Sequence, residues 1–160
     1  MVSMQQLHNI VEEDRKKYLG FFSKVPRKHF YYTQTEKTWS PEQIFRHLLM
    51  NIKWMLDKLP IESQKTSQLA IDLEEEVNDQ VSLNDLIDEF DRISPLLSKS
   101  LSSLTSEQEE EYIDTYKGKM QRRIYLIRLI NHEHRHLGQI QWLLKRSTGW
   151  TDKEIYEIDD

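Results

Sequence analysis

The sequence predicts an all-α protein built as an up-down four-helix bundle, and three observations support this fold class. Glycine and proline each occur only four times in 160 residues, so few positions interrupt a helix. Apolar residues recur at spacings of three and four, which is the period of helices with one buried face. Polar stretches separate four such segments. The helices are therefore expected to bury their apolar faces against one another in a single domain, residues 1–160.

The first two helices have recognisable boundaries. The first is expected from residue 3 to residue 22, ending before Pro26. Its predicted inward stripe consists of Leu7, Ile10, Val11, Tyr18 and Phe21. The second helix is expected to begin after Ser40 as the N-cap, because Pro41 suits the first helical position and Gln43 can complete a capping box.

The third helix follows a polar stretch from Ile61 to Gln80, which begins once the second helix ends near Pro60. Ser82 and Asp85 are expected to open this helix, and Pro95 to kink it. Its predicted apolar stripe is Leu83, Leu86, Phe90, Ile93, Leu97 and Leu101.

The last part of the chain holds the longest predicted helix. The acidic segment 105–118 is expected to be part turn and part short helix, and residues 121–145 to form the fourth helix. Residues 151–158 are expected to form either a short C-terminal helix or an ordered tail, because their first residues have capping-box spacing.

Composition excludes several classes of protein. The 22 basic and 27 acidic side chains give a net charge of −5 without a basic stripe, so nucleic-acid binding is not expected. With no cysteine, the chain has no disulfide framework, thiolate zinc site or thiol nucleophile of its own. The polar N-terminal segment 1–17 lacks the pattern of a signal peptide, and no apolar run reaches membrane-spanning length. The expectation is a cytoplasmic protein without a membrane partner, with a homodimer possible through exposed apolar stripes.

The segment from Asn131 to Gln139 carries three of the six histidines. His132 and His136 lie four residues apart, so on a helix both imidazoles can point at one metal ion. His134 is turned toward the opposite face and is not expected to be a ligand. A third histidine, His47, lies on the inward stripe of the second helix. The alternative at this point is that these are hydrogen-bonded core histidines or partly exposed ones.

Two segments, Trp39-Ser40-Pro41-Glu42-Gln43-Ile44 leading to His47, and His132-Glu133-His134-Arg135-His136-Leu137-Gly138-Gln139, resemble the DinB/YfiT-like family. The resemblance implies a four-helix bundle in which His47, His132 and His136 bind a divalent metal, with water completing the coordination. Many relatives carry a histidine immediately before the last ligand, whereas this chain has Arg135 there. The resemblance covers the chain in length and helix order, but its specific part is these two segments.

Three neutral histidine ligands would leave zinc or nickel its full charge and an open position. The resemblance implies an enzyme that transfers a low-molecular-weight thiol, of the bacillithiol type, to an electrophilic small molecule. Two alternatives stay open. Metal-bound water could make the protein a hydrolase, or the metal could only stabilise a non-catalytic binding or stress-response protein. A metal-free bundle with hydrogen-bonded histidines is a further version of the non-catalytic alternative.

Other residues have weaker support as site residues. Asn51, Gln139 and Tyr125 are candidates to contact substrate, bound water or a ligand histidine, and Arg128 lies beside the same stripe. For each of them, ordinary packing or solvation is the alternative. No role in the site is expected for several further polar and aromatic residues. Glu133 is interpreted as a surface charge, His8 and His29 as solvated histidines, and Trp54 and Trp142 as core or interface residues.

Overall fold

The computed structural model describes residues 4–60, 69, 82–151 and 153–154. In chain order its elements are α1 (Met4–Lys24), a 3-10 helix (Arg27–Tyr31), α2 (Pro41–Leu56), α3 (Leu83–Ser102), α4 (Ser106–Glu110), β1 (Tyr112–Thr115), β2 (Gly118–Gln121) and α5 (Arg122–Thr148). The predicted polar stretch 61–80 lies outside the described residues except for Leu69, and so do residues 152 and 155–158 of the predicted C-terminal segment.

Four long helices form the body of the molecule. Helix α5 packs against α1 and α2, and α3 packs against the same two helices, so α1 and α2 lie across the bundle from one another. Their apolar residues form a hydrophobic core to which all four helices contribute. The predicted all-α fold class is confirmed. Among the described helices, none combines the length and apolar character needed to span a bilayer.

Two of the helix starts follow the predicted chemistry. The Ser40 hydroxyl accepts the Gln43 N–H (3.3 Å), and the Gln43 side-chain oxygen accepts the Ser40 N–H (2.9 Å), which completes a capping box. Ser82 and Asp85 form the same reciprocal pair at the start of α3. Every residue of the predicted α3 stripe is buried. The helix continues through Pro95, whose side chain is exposed.

The buried face of α1 differs from the predicted stripe. Ile10 is 59% exposed, whereas His8 and Arg15 are almost completely buried. The prediction was wrong for Ile10 because it admitted only apolar residues. Met4, His8, Val11 and Arg15 follow the helical spacing of a single face, and the two polar members find partners inside the bundle.

The acidic segment before α5 contains a β-hairpin that was not predicted. Residues 106–110 are helical as expected, but β1 and β2 then pair antiparallel around a two-residue loop, Tyr116 and Lys117. Gly118 has φ +93, a conformation that glycine adopts without strain. The overlooked signal was a run of aromatic and β-branched residues followed by this glycine. Gln121, the predicted first residue of the last helix, belongs to β2.

Buried Arg122 attaches the hairpin to the bundle. Its Nε donates to the Lys58 carbonyl oxygen just beyond α2 (2.7 Å), and its Nη1 donates to Glu111 Oε2 (2.8 Å) and to the Gln108 carbonyl oxygen. The Arg122 N–H also donates to the Glu111 carbonyl oxygen (2.8 Å). These bonds hold the loop at Tyr116 over the same end of α2 and α5.

Candidate metal centre

The three histidines singled out in the sequence lie together between α2 and α5. His47 Nε2 is 2.9 Å from His132 Nε2, and the His132 and His136 ring centroids are 4.4 Å apart. The His47 ring is 5.1 Å from His132 and 5.0 Å from His136, centroid to centroid. One nitrogen from each residue lies within 4.8 Å of the other two, so the group could hold a metal ion.

The chain positions this cluster through helix spacing and one contact between helices. His132 and His136 are adjacent on α5 because four residues make about one turn. Asn51, one turn after His47 on α2, is buried and donates its side-chain N–H to the Leu129 carbonyl oxygen of α5 (3.1 Å). This bond joins the two helices beside the histidines. The Asn51 side-chain oxygen, Oδ1, is buried without a hydrogen-bond partner among the described residues.

The Nδ1 atoms of His132 and His136 each have a hydrogen-bond partner. His136 Nδ1 is 2.5 Å from the Gln139 side-chain oxygen, which can accept a hydrogen bond from Nδ1–H. This tautomer leaves Nε2 free to bind a metal. Arg135 Nη2 is 3.0 Å from His132 Nδ1, to which it can donate. That contact favours a proton on His132 Nε2, facing His47. Metal binding through His132 Nε2 would require the proton on Nδ1 and would therefore end the Arg135 contact.

The surroundings keep all three imidazoles neutral at pH 7. Burial is the largest cause of the lowered pKa of each histidine, and the positive charge that His136 can carry lowers the pKa of both His47 and His132. The pKa of His132 falls to about 4, with His47 and Arg135 adding to the effect. For His136, the Gln139 hydrogen bond opposes the lowering. Neutral imidazole nitrogens are the form that binds a metal ion, so the donor set fits one.

Acid is expected to destabilise the metal-free protein through these histidines. Because their pKa values are lower in the folded chain, the unfolded chain takes up protons first. For His132 the stabilisation is complete above pH 6.5 and is lost between pH 6.5 and about 4. The melting temperature of chelated protein should therefore fall over this range, and it should fall less in His132→Gln. An equal fall in both proteins would contradict this account.

A cavity of about 960 Å³ opens beside His47 and His132. Its walls include Tyr125, Leu129 and Trp54, and the hairpin loop contributes Tyr116. Burial is the main cause of the raised pKa of Tyr125, so its hydroxyl stays protonated at neutral pH. The cavity gives the histidine cluster direct access to small molecules.

A smaller pocket of about 350 Å³ adjoins His136 and Gln139. Its apolar walls include Trp39 and Trp142. Of the two alternatives expected for Trp54 and Trp142, core or interface, the core alternative was wrong, because these residues are 37% and 48% exposed. Instead, they line the two openings beside the histidines.

Two polar residues that were expected on the surface, Glu133 and His8, are buried. Glu133 is fully buried and paired with Arg15, so the expectation of a surface charge was wrong. His8 is buried and hydrogen-bonded to Ser98 (2.9 Å), which also contradicts the prediction. Both were misjudged because a single helix pattern does not show a polar partner on another helix. His29 is half-buried and hydrogen-bonded to Ser147 (2.7 Å).

His134 points away from the cluster toward α1. Its ring makes an edge contact with the Tyr18 ring, at 5.9 Å between centroids. Tyr125 and Arg128 both line the larger cavity, while Asn51 and Gln139 contact the backbone and a histidine as described above. The structure therefore places Tyr125 and Arg128 in the cavity that His47 and His132 also line, and it leaves His134 outside the cluster.

Comparisons with known proteins agree with this fold. A DinB-like protein, YjoA from Bacillus subtilis, is 24% identical in a solved structure, with 92% of this chain and 94% of that chain covered and a TM-score of 0.65. A conserved protein from Enterococcus faecalis is 15% identical, with 94% and 100% covered and a TM-score of 0.68. A comparison with curated proteins gives no match. The model of the DinB family matches residues 1–160, and this chain therefore belongs to the DinB family.

Proposed function

We propose that this protein is a metal-dependent transferase that attaches a low-molecular-weight thiol to an electrophilic small molecule. His47, His132 and His136 would hold the metal, zinc or nickel. The observation that carries the proposal is the convergence of three neutral imidazoles, two of which, His47 and His132, line a 960 Å³ cavity. A purely structural metal needs no cavity of this size beside it.

The donor set suits a catalytic metal. Three neutral nitrogens leave the ion its double charge, and protein ligands from three residues leave room for an exogenous ligand. When bound, the metal would supply positive charge that lowers the pKa of a thiol to near neutrality. The cavity would admit the thiol next to the histidines, and its aromatic walls would exclude part of the surrounding water.

The sequence contains no cysteine, so in the proposed reaction the thiol nucleophile comes from the co-substrate. The sulfur of the thiol would form a bond to an electrophilic carbon of the second substrate, and the leaving group would depart with the electron pair of the broken bond. The thiol proton would pass to solvent through the open cavity. No side chain of the protein needs to form a covalent intermediate in this reaction.

The test is consumption of 1-chloro-2,4-dinitrobenzene by untagged protein loaded with zinc or nickel. Chloride release should require both a thiol and the metal, and it should stop after chelation and return when metal is added back. The rate without protein is subtracted, and His47→Ala serves as the protein control. Ester or amide cleavage that proceeds without thiol would replace the transferase proposal with a hydrolase. Metal binding without turnover of either kind would leave a metal-stabilised binding protein.

A further inference from the structure

The lining of the larger cavity has the opposite charge to the chain as a whole. The protein carries a net charge of −5. Four cationic side chains nevertheless line this cavity, against the single carboxylate of Asp57. The four are Lys58, Lys117, Arg128 and Arg135. Such a concentration of positive charge in a concave surface attracts anions.

These four cations form no ion pairs with carboxylates of the described part of the chain. Within residues 4–60, 69, 82–151 and 153–154, neither Lys58 nor Arg128 has a hydrogen bond or ion pair through its side chain. Lys117 lies over the Tyr116 ring, 5.4 Å from its centroid. Arg135 contacts His132, a neutral group. The four charges therefore remain available to a ligand.

Helix geometry places the cations beside the candidate metal centre. Arg128 precedes His132 by four residues and Arg135 follows it by three, so all three lie on one strip of α5. The corresponding axial rises are about 6 Å and about 4.5 Å. An anionic group held by either guanidinium would therefore lie within the length of a small molecule from the histidines.

We propose that this cavity binds the carboxylate end of a small organic acid, with Arg128 as its principal contact. Guanidinium groups bind carboxylates through paired hydrogen bonds, and Trp54 and Tyr116 provide flat surfaces for the carbon skeleton. A second part of the inference rests on the proposed function. The anionic ligand is the thiol co-substrate, and the electrophile occupies the smaller pocket between Trp39 and Trp142.

The anion site is tested without turnover, by calorimetric titration of glutarate into the protein with metal and again after chelation. Glutarate should bind, and its uncharged diamide should bind at least about 10-fold more weakly, because charged hydrogen bonds contribute more than neutral ones. Arg128→Gln should weaken glutarate binding by about 10-fold or more. Lys16→Gln removes an equal charge from an exposed position outside the cavity and should leave binding unchanged. Arg135 is not the test variant because it also contacts His132.

Three results would overturn the anion site: equal binding of glutarate and its diamide, an unchanged affinity in Arg128→Gln, or a similar loss in Lys16→Gln. Tighter binding of inorganic phosphate than of glutarate would overturn the assignment to carboxylate. Binding measured in chelated protein does not depend on metal or catalysis. The anion site can therefore stand even if the transferase proposal fails.

The co-substrate assignment is tested with thiols of graded charge and the same electrophile. The order of increasing KM should be 2-mercaptosuccinate, 3-mercaptopropionate, 2-mercaptoethanol and cysteamine. Arg128→Gln should raise KM for the two acids by a larger factor than it changes KM for 2-mercaptoethanol. Equal KM values for all four thiols would overturn this assignment while the transferase proposal stands. Failure of every thiol to react, with glutarate still bound, would overturn the transferase proposal and the co-substrate assignment together.

Discussion

Replacement of His47, His132 or His136 by alanine is expected to abolish stoichiometric metal binding. The three nitrogens come from two helices. Each of the three variants leaves only two protein ligands for the metal. Loss of a group that merely orients a ligand lowers metal affinity by about 10- to 100-fold, so loss of a ligand itself should exceed about 100-fold. About one zinc or nickel per chain is expected in the wild type.

Elemental analysis of untagged protein measures this outcome directly. His134→Ala is the matched control, because it removes a histidine from the same helix whose ring contacts Tyr18 instead of the cluster. Metal at 100 times its dissociation constant stabilises the folded state by about 2.7 kcal/mol, or about 5–10 °C in melting temperature for a chain of this size. That metal-dependent gain should be present in wild type and His134→Ala and missing in the three ligand variants. Wild-type protein that cannot be loaded with metal would refute the metal centre.

Gln139→Ala is expected to weaken metal binding without abolishing it. Its side-chain oxygen accepts from His136 Nδ1, so Gln139→Ala would remove the group that fixes the tautomer without removing a ligand. The metal would remain, but bound more weakly than in wild type. The comparison separates the cost of losing orientation from the cost of losing a donor.

The parts of the structure that sequence could predict are those determined within one helix. The capping boxes at Ser40 and Ser82 need only residues three apart, and the α3 stripe needs only a regular apolar spacing. The pair His132 and His136 is likewise local. The inward stripe of α2 makes His47 a candidate third ligand, but no local pattern specifies which faces of two distant helices meet. The resemblance to a known family was therefore needed to favour a metal centre over hydrogen-bonded core histidines.

The parts that could not be predicted depend on partners far along the chain. Glu133 looks like an ordinary solvated carboxylate in its own helix, and its partner Arg15 is 118 residues away. The hairpin competes with a helical pattern in an acidic segment, and it is fixed by Arg122, which itself bonds to Lys58 beyond α2. Burial of a charge is favourable only when its partner is in place, so neither Glu133 nor Arg15 can be assigned to the interior from its own helix alone.

Helix α5 thus has two polar faces with different roles. Its half-buried face carries the histidines and opens to the cavity, whereas its buried face carries Glu133 toward α1. Arg15 Nε and Nη2 each lie 2.7 Å from Glu133 Oε1, and the Arg15 guanidinium also contacts Glu12 and lies 5.6 Å from the Phe90 ring centroid. The pair links α1 to the segment of α5 that presents His132.

Glu133→Gln is expected to destabilise the protein by about 3–5 kcal/mol. The change leaves the guanidinium of Arg15, a side chain that is 1% exposed, without its main counter-charge in the interior. Urea denaturation of chelated wild-type and variant protein measures the difference in the free energy of unfolding without a contribution from metal. Asp14→Asn is the control, because its partner Lys17 is 69% exposed and such pairs contribute at most about 1 kcal/mol.

The double variant Arg15→Met/Glu133→Leu separates charge pairing from packing. Removal of both charges leaves no unpaired ion in the interior, because Glu12, the other partner of Arg15, is partly exposed to water. This variant should therefore be more stable than Glu133→Gln alone and within about 2 kcal/mol of wild type. If the losses of Arg15→Met and of Glu133→Leu, measured separately, simply add in the double variant, the two side chains contribute independently through packing and not through their charge pair. A loss below about 1 kcal/mol in Glu133→Gln would contradict this expectation and would show that Glu12 or water compensates the charge of Arg15 without Glu133.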